Sequence, residues 1–209
     1  MSSSDWTSAL TTGTVSFYII SDLTAPSATE AMQVDTPAGN AGLAFQNVTG
    51  GPFKDSAISG WAKQPVSNGA ANIMLVLRSQ DNTTFIANPA TYFFATCSAG
   101  SSTDVRLKII AVVAGVLTDI VATVDVASVN GNPINTWQQF EFAVINSGTD
   151  YLFRISQWNG SAMIPILDAA APIASFPALN ASGSARFGTR VGGLPGSIYL
   201  DDIAYYSIT

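Results

Sequence analysis

Apolar and polar residues alternate with a period of two along most of this chain. The alternating runs are rich in β-branched and aromatic side chains and are bounded by Gly, Asn, Ser and Pro. The pattern predicts strands at residues 14–21, 42–47, 57–63, 72–79, 91–97, 105–113, 119–126, 136–144, 151–158, 185–191 and 197–208. In the fourth of these Ile73, Leu75 and Leu77 share one phase, and in the eighth Phe140, Phe142 and Val144 oppose Glu141 and Ala143. Ala114-Gly115 is expected to join two buried strands, and Asn159-Gly160 is a hairpin signal because both residues accept positive φ. Residues 168–178 carry Pro172 and Pro177 and are expected as loop. The last strand changes phase: Ile198 and Leu200 lie on one side, Ile203 and Tyr205 on the other, which predicts a bulge at Asp201-Asp202. No segment has the helical 3.6 period. The expectation is an all-β, two-sheet antiparallel sandwich over residues 14–209, preceded by an N-terminal arm, residues 1–13.

Composition narrows the chemistry. Only 11% of the 209 residues are charged and 47% are hydrophobic, the reverse of a disordered chain. A single cysteine, Cys97, excludes an internal disulfide framework, and the absence of histidine excludes Ser-His-Asp catalysis and histidine metal sites. A net charge of -6 without basic clusters argues against nucleic acid. The longest apolar core, Ile109 to Leu117, is far shorter than the roughly 20 residues of a spanning helix, so no membrane span is expected. The first basic residue is Lys54, so no signal peptide is expected either.

The order of the strands carries a resemblance. NIMLVLRSQD leads to the aromatic strand around Tyr92, then to a Trp-initiated strand at Trp137, to YLFRISQWNG, to ARFG and to a terminal YLDDIAYY. This succession resembles the concanavalin A-like lectin/glucanase jelly roll and its laminin-G-like relatives, and implies that fold over residues 14–208. The superfamily holds lectins, glycosidases, carbohydrate-binding modules and viral structural domains, so it does not choose a function. Its glucanase branch implies an E-x-D-x-x-E pattern on one strand. Here the glutamates are Glu30 and Glu141, far apart, so no enzyme is expected.

Candidate contacts follow from residue type. Trp158 and Asn159 stand at a turn, and Tyr199, Tyr205 and Tyr206 lie on the terminal strand; any of these rings can cover a sugar or a partner. Trp61 and Trp137 are expected in the core. Asp201 and Asp202 are weak calcium candidates, with the bulge as the simpler reading and no cofactor expected. Ser4, Asp5 and Trp6 are the candidate residues of a docking arm. Strands apolar on both phases are either central and covered or face a partner, and the sparse charge, with neither a catalytic pattern nor a signal peptide, suits a chain surrounded by other protein. The main expectation is therefore a non-enzymatic virion structural protein, a capsid decoration or cement protein. It would contact a major capsid protein or other virion subunits, as a dimer or trimer on a virion surface after assembly in the host cytoplasm. The alternative is a carbohydrate-binding or lectin-like domain with a glycan partner.

Overall fold

A computed structural model of the chain describes residues 6–12, 16–27, 30–36, 41–65, 71–80, 90–192 and 196–208. Among these residues the backbone forms fourteen strands: β1 (Trp6–Thr12), β2 (Ser16–Ser21), β3 (Glu30–Thr36), β4 (Ala41–Phe53), β5 (Ser56–Lys63), β6 (Ala71–Ser79), β7 (Tyr92–Ala99), β8 (Asp104–Val113), β9 (Val116–Ala127), β10 (Trp137–Ser147), β11 (Asp150–Trp158), β12 (Met163–Pro172), β13 (Gly183–Gly192) and β14 (Gly196–Ser207). They build two seven-stranded antiparallel sheets. The first runs β1-β4-β13-β6-β7-β8-β9 and the second β12-β11-β10-β5-β14-β3-β2. This is a two-sheet jelly-roll sandwich.

The alternation read from the sequence becomes the core. Ile73, Leu75 and Leu77 of β6, Phe93 and Ala95 of β7 and Phe187 of β13 point from the first sheet; Ile58 of β5, Phe140 and Phe142 of β10 and Phe153 of β11 meet them from the second. Phe93 sets its ring edge against Tyr151 and Phe153, 5.0 Å between centroids in each case, and so ties β7 to β11 across the sandwich. Phe187 lies over Gly60, where an added Cβ would stand 2.4 Å from the ring. The glycine is therefore what lets β5 and β13 approach. Two polar residues break the inward phase. The Gln157 amide donates to Gln138 Oε1 (2.8 Å) and its oxygen accepts the Val129 N–H (2.9 Å), which closes one end of the core under the β9–β10 connection.

Arg78 is fully buried where β6 ends, at φ 55. Its guanidinium donates to the Leu179 carbonyl (3.1 Å) and to Asp55 (3.3 Å) and faces the Tyr151 ring at 5.1 Å. It thereby fixes the single 3-10 turns Ile173–Ser175 and Pro177–Leu179 to the sandwich.

Several expectations change. The stretch 168–178 is half strand: β12 is the edge of its sheet, where prolines are tolerated because one side of the backbone makes no ladder bonds, and only residues 173–179 turn. β3 was not legible, and residues 6–12 of the expected arm pair with β4 as an edge strand. Ser4 and Asp5 lie outside the described residues, and of the Trp6 side chain nothing is described. The Ala114-Gly115 turn takes positive φ at both residues (50° and 81°) and joins β8 to β9 as expected. At Asn159-Gly160 only the glycine does so. The two-sided strands are covered on both sides. Ile109 and Ala111 enter the main core, while Ile110 and Val112 join Met74, Val76, Tyr92 and Phe94 in a second buried cluster on the other face of the first sheet.

The Gly60 contact is testable by substitution. Gly60→Ala is expected to destabilise the fold by about 1–3 kcal/mol through overpacking, read as a fall in melting temperature, and Phe187→Leu added to it should recover part of the loss. An unchanged melting temperature for Gly60→Ala would show that the approach of β5 to β13 is not limiting.

Candidate functional site

The outward face of the second sheet carries most of the side chains with binding chemistry. In β5 the inward residues are Ile58, Gly60 and Ala62, so Ser59, Trp61 and Lys63 face out. In β10, Trp137, Gln139 and Glu141 do the same. Register then brings Gln139, Trp61 and Asp201 side by side across β10, β5 and β14, a row spanning about 10 Å at normal strand spacing. Trp61 and Trp137, expected in the core, are half-buried on this outer face. Both belong to the phase opposite their core-forming neighbours.

The expected bulge is present. Along β14, Asp201 pairs with Trp61 and Ala204 with Ser59, so one residue is extra, and Asp202 takes φ 40. The bulge turns Ile203 and Tyr205 back toward the core. Asp201 is buried and clamps the irregularity: one carboxylate oxygen accepts the Ser27 N–H (2.8 Å) and the other the Asp202 N–H (2.9 Å). Asp202 is exposed, and its carboxyl is held above the ordinary aspartate value, first by partial burial and then by the Asp201 charge. Pairing of β3 with β14 stops at Leu200, so the sheet opens there.

A cleft of about 680 Å³ occupies this opening. Ser59, Trp61 and Gln139 line it from the sheet face, Asp201 to Ala204 from the bulge, Ser27 from the turn after β2, Glu30 from the start of β3, and Gln46 to Val48 from β4. The Gln46 amide oxygen is buried and has no hydrogen-bond partner among the described residues. Among the described residues that line the cleft there is no Lys or Arg. Among the described residues no group of three or more Asp, Glu or Cys side chains is placed to hold a metal ion. A smaller cavity of about 340 Å³ lies further along the same face, between Glu141, Leu152 and the Arg154–Asp168 ion pair (2.7 Å). Beside it Tyr206 donates to the Glu141 carboxylate, and burial together with this bond raises the Tyr206 pKa.

The contact candidates named from the sequence separate. Tyr205 is not a surface contact: the bulge turns it inward, where its hydroxyl donates to the Gly183 carbonyl (2.8 Å) and accepts the Phe53 N–H (3.1 Å), bracing the two sheets. Asn159 spends its side-chain oxygen inside its own turn, on the N–H groups of Ser161 and Ala162 (2.9 Å each). Tyr199 faces out, but the Lys63 ammonium sits over its ring at 5.4 Å and over Trp137 at 5.8 Å, held there by Asp22 at 3.2 Å. Trp158 is half-buried at the end of β11; it follows Gln157, the partner of Phe140, and so stands one strand beyond Gln139. Trp61 is the aromatic in the cleft. Its phase companions Ser59 and Lys63 were the signal that could have found it.

No known family model matches the sequence, and no curated protein is similar to it in sequence. Solved structures do share its shape. A glycoside hydrolase family 16 endo-glucanase from Bacteroides ovatus aligns over 99% of this chain and 96% of its own at 10% identity and a TM-score of 0.61. A legume lectin-like domain from Entamoeba histolytica aligns over 99% and 91% at 8% identity and 0.56. An endo-beta-1,4-glucuronan lyase from Trichoderma reesei aligns over 94% and 88% at 9% identity and 0.54. The fold is the concanavalin A-like jelly roll that the strand order resembles. At these identities the likeness shows the fold alone.

The bulge supplies a test by titration. A carboxyl whose folded pKa is raised lends its stability below the unfolded pKa and loses it as pH rises through the folded value. Asp202→Asn, which still tolerates positive φ, is therefore expected to raise the melting temperature at neutral pH, with the gain shrinking to nothing in acid. A constant gain across pH would refute the assignment.

Proposed function

We propose that this chain is a non-catalytic carbohydrate-binding domain that holds a glycan in the cleft beside the β14 bulge. The observation that carries the reading is the half-buried Trp61 ring lining a cleft of about 680 Å³ together with the amides of Asn47 and Gln139 and the hydroxyls of Ser27 and Ser59. A flat apolar ring among short polar groups suits a pyranose, which offers an apolar face of C–H groups and an equatorial rim of hydroxyls. Lectin-like and carbohydrate-active proteins among the structural neighbours support the same reading.

Binding without hydrolysis is favoured by the commitment of two carboxylates: Asp201 in the cleft accepts two backbone N–H groups, and Glu141 outside it accepts from Tyr206. A retaining glycosidase needs two about 5 Å apart and an inverting one somewhat wider. Glu141 is flanked in its outward phase by Gln139 and Ala143, and its carboxylate accepts from Tyr206. The virion-assembly reading rested on the sparse charge and on the lack of a catalytic pattern and of a signal peptide, features that a glycan-binding domain shares; a partner face over the two-sided strands was an accompanying expectation. Those residues, Ile109 to Val112, are buried within the chain itself and offer no such face.

A glycan array followed by calorimetry tests the proposal. Trp61→Ala is expected to weaken the best ligand at least about tenfold with the melting curve retained, while Glu141→Gln leaves binding unchanged and no reducing ends are released. Glycan binding that is indifferent to Trp61, or turnover abolished by Glu141→Gln, would overturn it.

A further inference from the structure

Trp61, Trp137 and Trp158 all stand on the outward face of the second sheet, and they differ in what already holds them. Trp137 is committed: its indole N–H donates to the Thr24 hydroxyl (3.3 Å) and the Lys63 ammonium sits over its ring. Trp61 and Trp158 are half-buried, and among the described residues neither indole N–H has a hydrogen-bond partner and neither ring meets another ring or a cation. Register lines these two up. Gln139 pairs with Trp61 across β10 and β5, and Trp158 stands beside Gln139 on β11, one residue past the Phe140–Gln157 pair. Trp158, Gln139 and Trp61 therefore form one row perpendicular to the strands, in the order ring, amide, ring. The two tryptophan positions are about 10 Å apart at normal strand spacing. Beyond Trp158 the row continues to Met163 on β12, the edge strand of this sheet. It thus runs from the cleft at the bulge to the open side of the sandwich.

Resting on the glycan reading, we infer that Trp158 is a second stacking subsite and that the ligand is a linear β-1,4-linked oligosaccharide laid across β5, β10 and β11, with Trp61 and Trp158 under alternate sugar units. When both bonds of each linkage are equatorial, as between glucose, mannose or xylose units, the chain is extended and successive pyranoses flip over. Alternate units then present the same face, and the advance over two units is close to two strand spacings. The unit between the stacked pair lies over Gln139, whose amide offers both donors and an acceptor to its hydroxyls. Each half-buried indole keeps apolar area in water that a sugar face would cover, with its N–H at the rim to meet a hydroxyl. An α-1,4 chain coils and a β-1,3 chain curves, so either leaves the line of the row after the first ring. A short glycan confined to the cleft gains nothing from Trp158, which is not among the residues that line it.

The test is calorimetry on the whole chain with di- and tetrasaccharides of β-1,4-linked glucose, mannose and xylose, and of α-1,4-linked and β-1,3-linked glucose, alongside the ligands of the glycan array. In at least one β-1,4 series the tetrasaccharide is expected to bind at least about tenfold more tightly than the disaccharide, with no such rise for the other two linkages. Trp158→Ala should flatten that rise while leaving the disaccharide's affinity and the melting curve in place, and Trp158→Tyr, which keeps a ring, should retain part of it. Trp61→Ala should weaken both lengths, and Leu152→Ala, exposed outside the row, neither. An affinity that depends on Trp61 but does not grow with length, or a rise that survives Trp158→Ala, overturns the inference and leaves the glycan reading standing. So does an equal or larger rise for the α-1,4 or β-1,3 chains, or Trp61-dependent binding confined to array glycans without a β-1,4 chain. Binding of no glycan at all overturns both.

Discussion

The extra residue in β14 lets one strand face the core along its whole length while passing from a fully paired stretch to an open one. Before it, Ile198 and Leu200 point inward; after it, Ile203 and Tyr205 do. Without the insertion the second half of the strand would turn its apolar residues to solvent, since a slip of one residue exchanges the faces. The irregularity needs a clamp, and Asp201 supplies it by accepting two backbone N–H groups from a buried position. The same insertion ends the pairing with β3 and opens the cleft. Core continuity, the buried carboxylate and the candidate site are thus consequences of one local choice of backbone.

The outer face of the second sheet divides into regions with distinct chemistry. One is occupied by the chain itself: Lys63 lies between Trp137 and Tyr199 and is fixed by Asp22, so those rings already hold a cation. Another keeps Glu141 tied to Tyr206 beside the Arg154–Asp168 pair. The region at the bulge presents an aromatic ring, side-chain amides and carboxylates to the cleft. Lys63 with Asp22 and Arg154 with Asp168 form ion pairs on this face outside the cleft.

The correspondence between pattern and structure was close wherever burial is one-sided. Phe140, Phe142 and Val144 alternate with polar residues and form core, and the phase slip between Leu200 and Ile203 foretold the bulge. It failed where another constraint outweighs periodicity. β12 carries Pro165 and Pro172 yet is a strand, because an edge tolerates missing donors. Gln138 and Gln157 occupy inward positions because they tie a connection to the end of the core. Trp61 was assigned to the core on residue type, although its phase, shared with Ser59 and Lys63, placed it outside.

What the sequence by itself determined is the class of fold: β-branched alternation, turn residues and the order of the strands define a two-sheet antiparallel sandwich, and the lack of histidine and of a paired glutamate motif removes several chemistries. These are local properties, set by side-chain period and residue type. Which aromatic meets solvent, which carboxylate is clamped and which is free, and where the sheet opens were decided only in the tertiary structure. They depend on register between strands far apart in the chain: Gln139, Trp61 and Asp201 become neighbours through two separate pairings. No spacing in the sequence encodes that row, because the hydrogen-bonded ladder that creates it exists only once the sheet has formed.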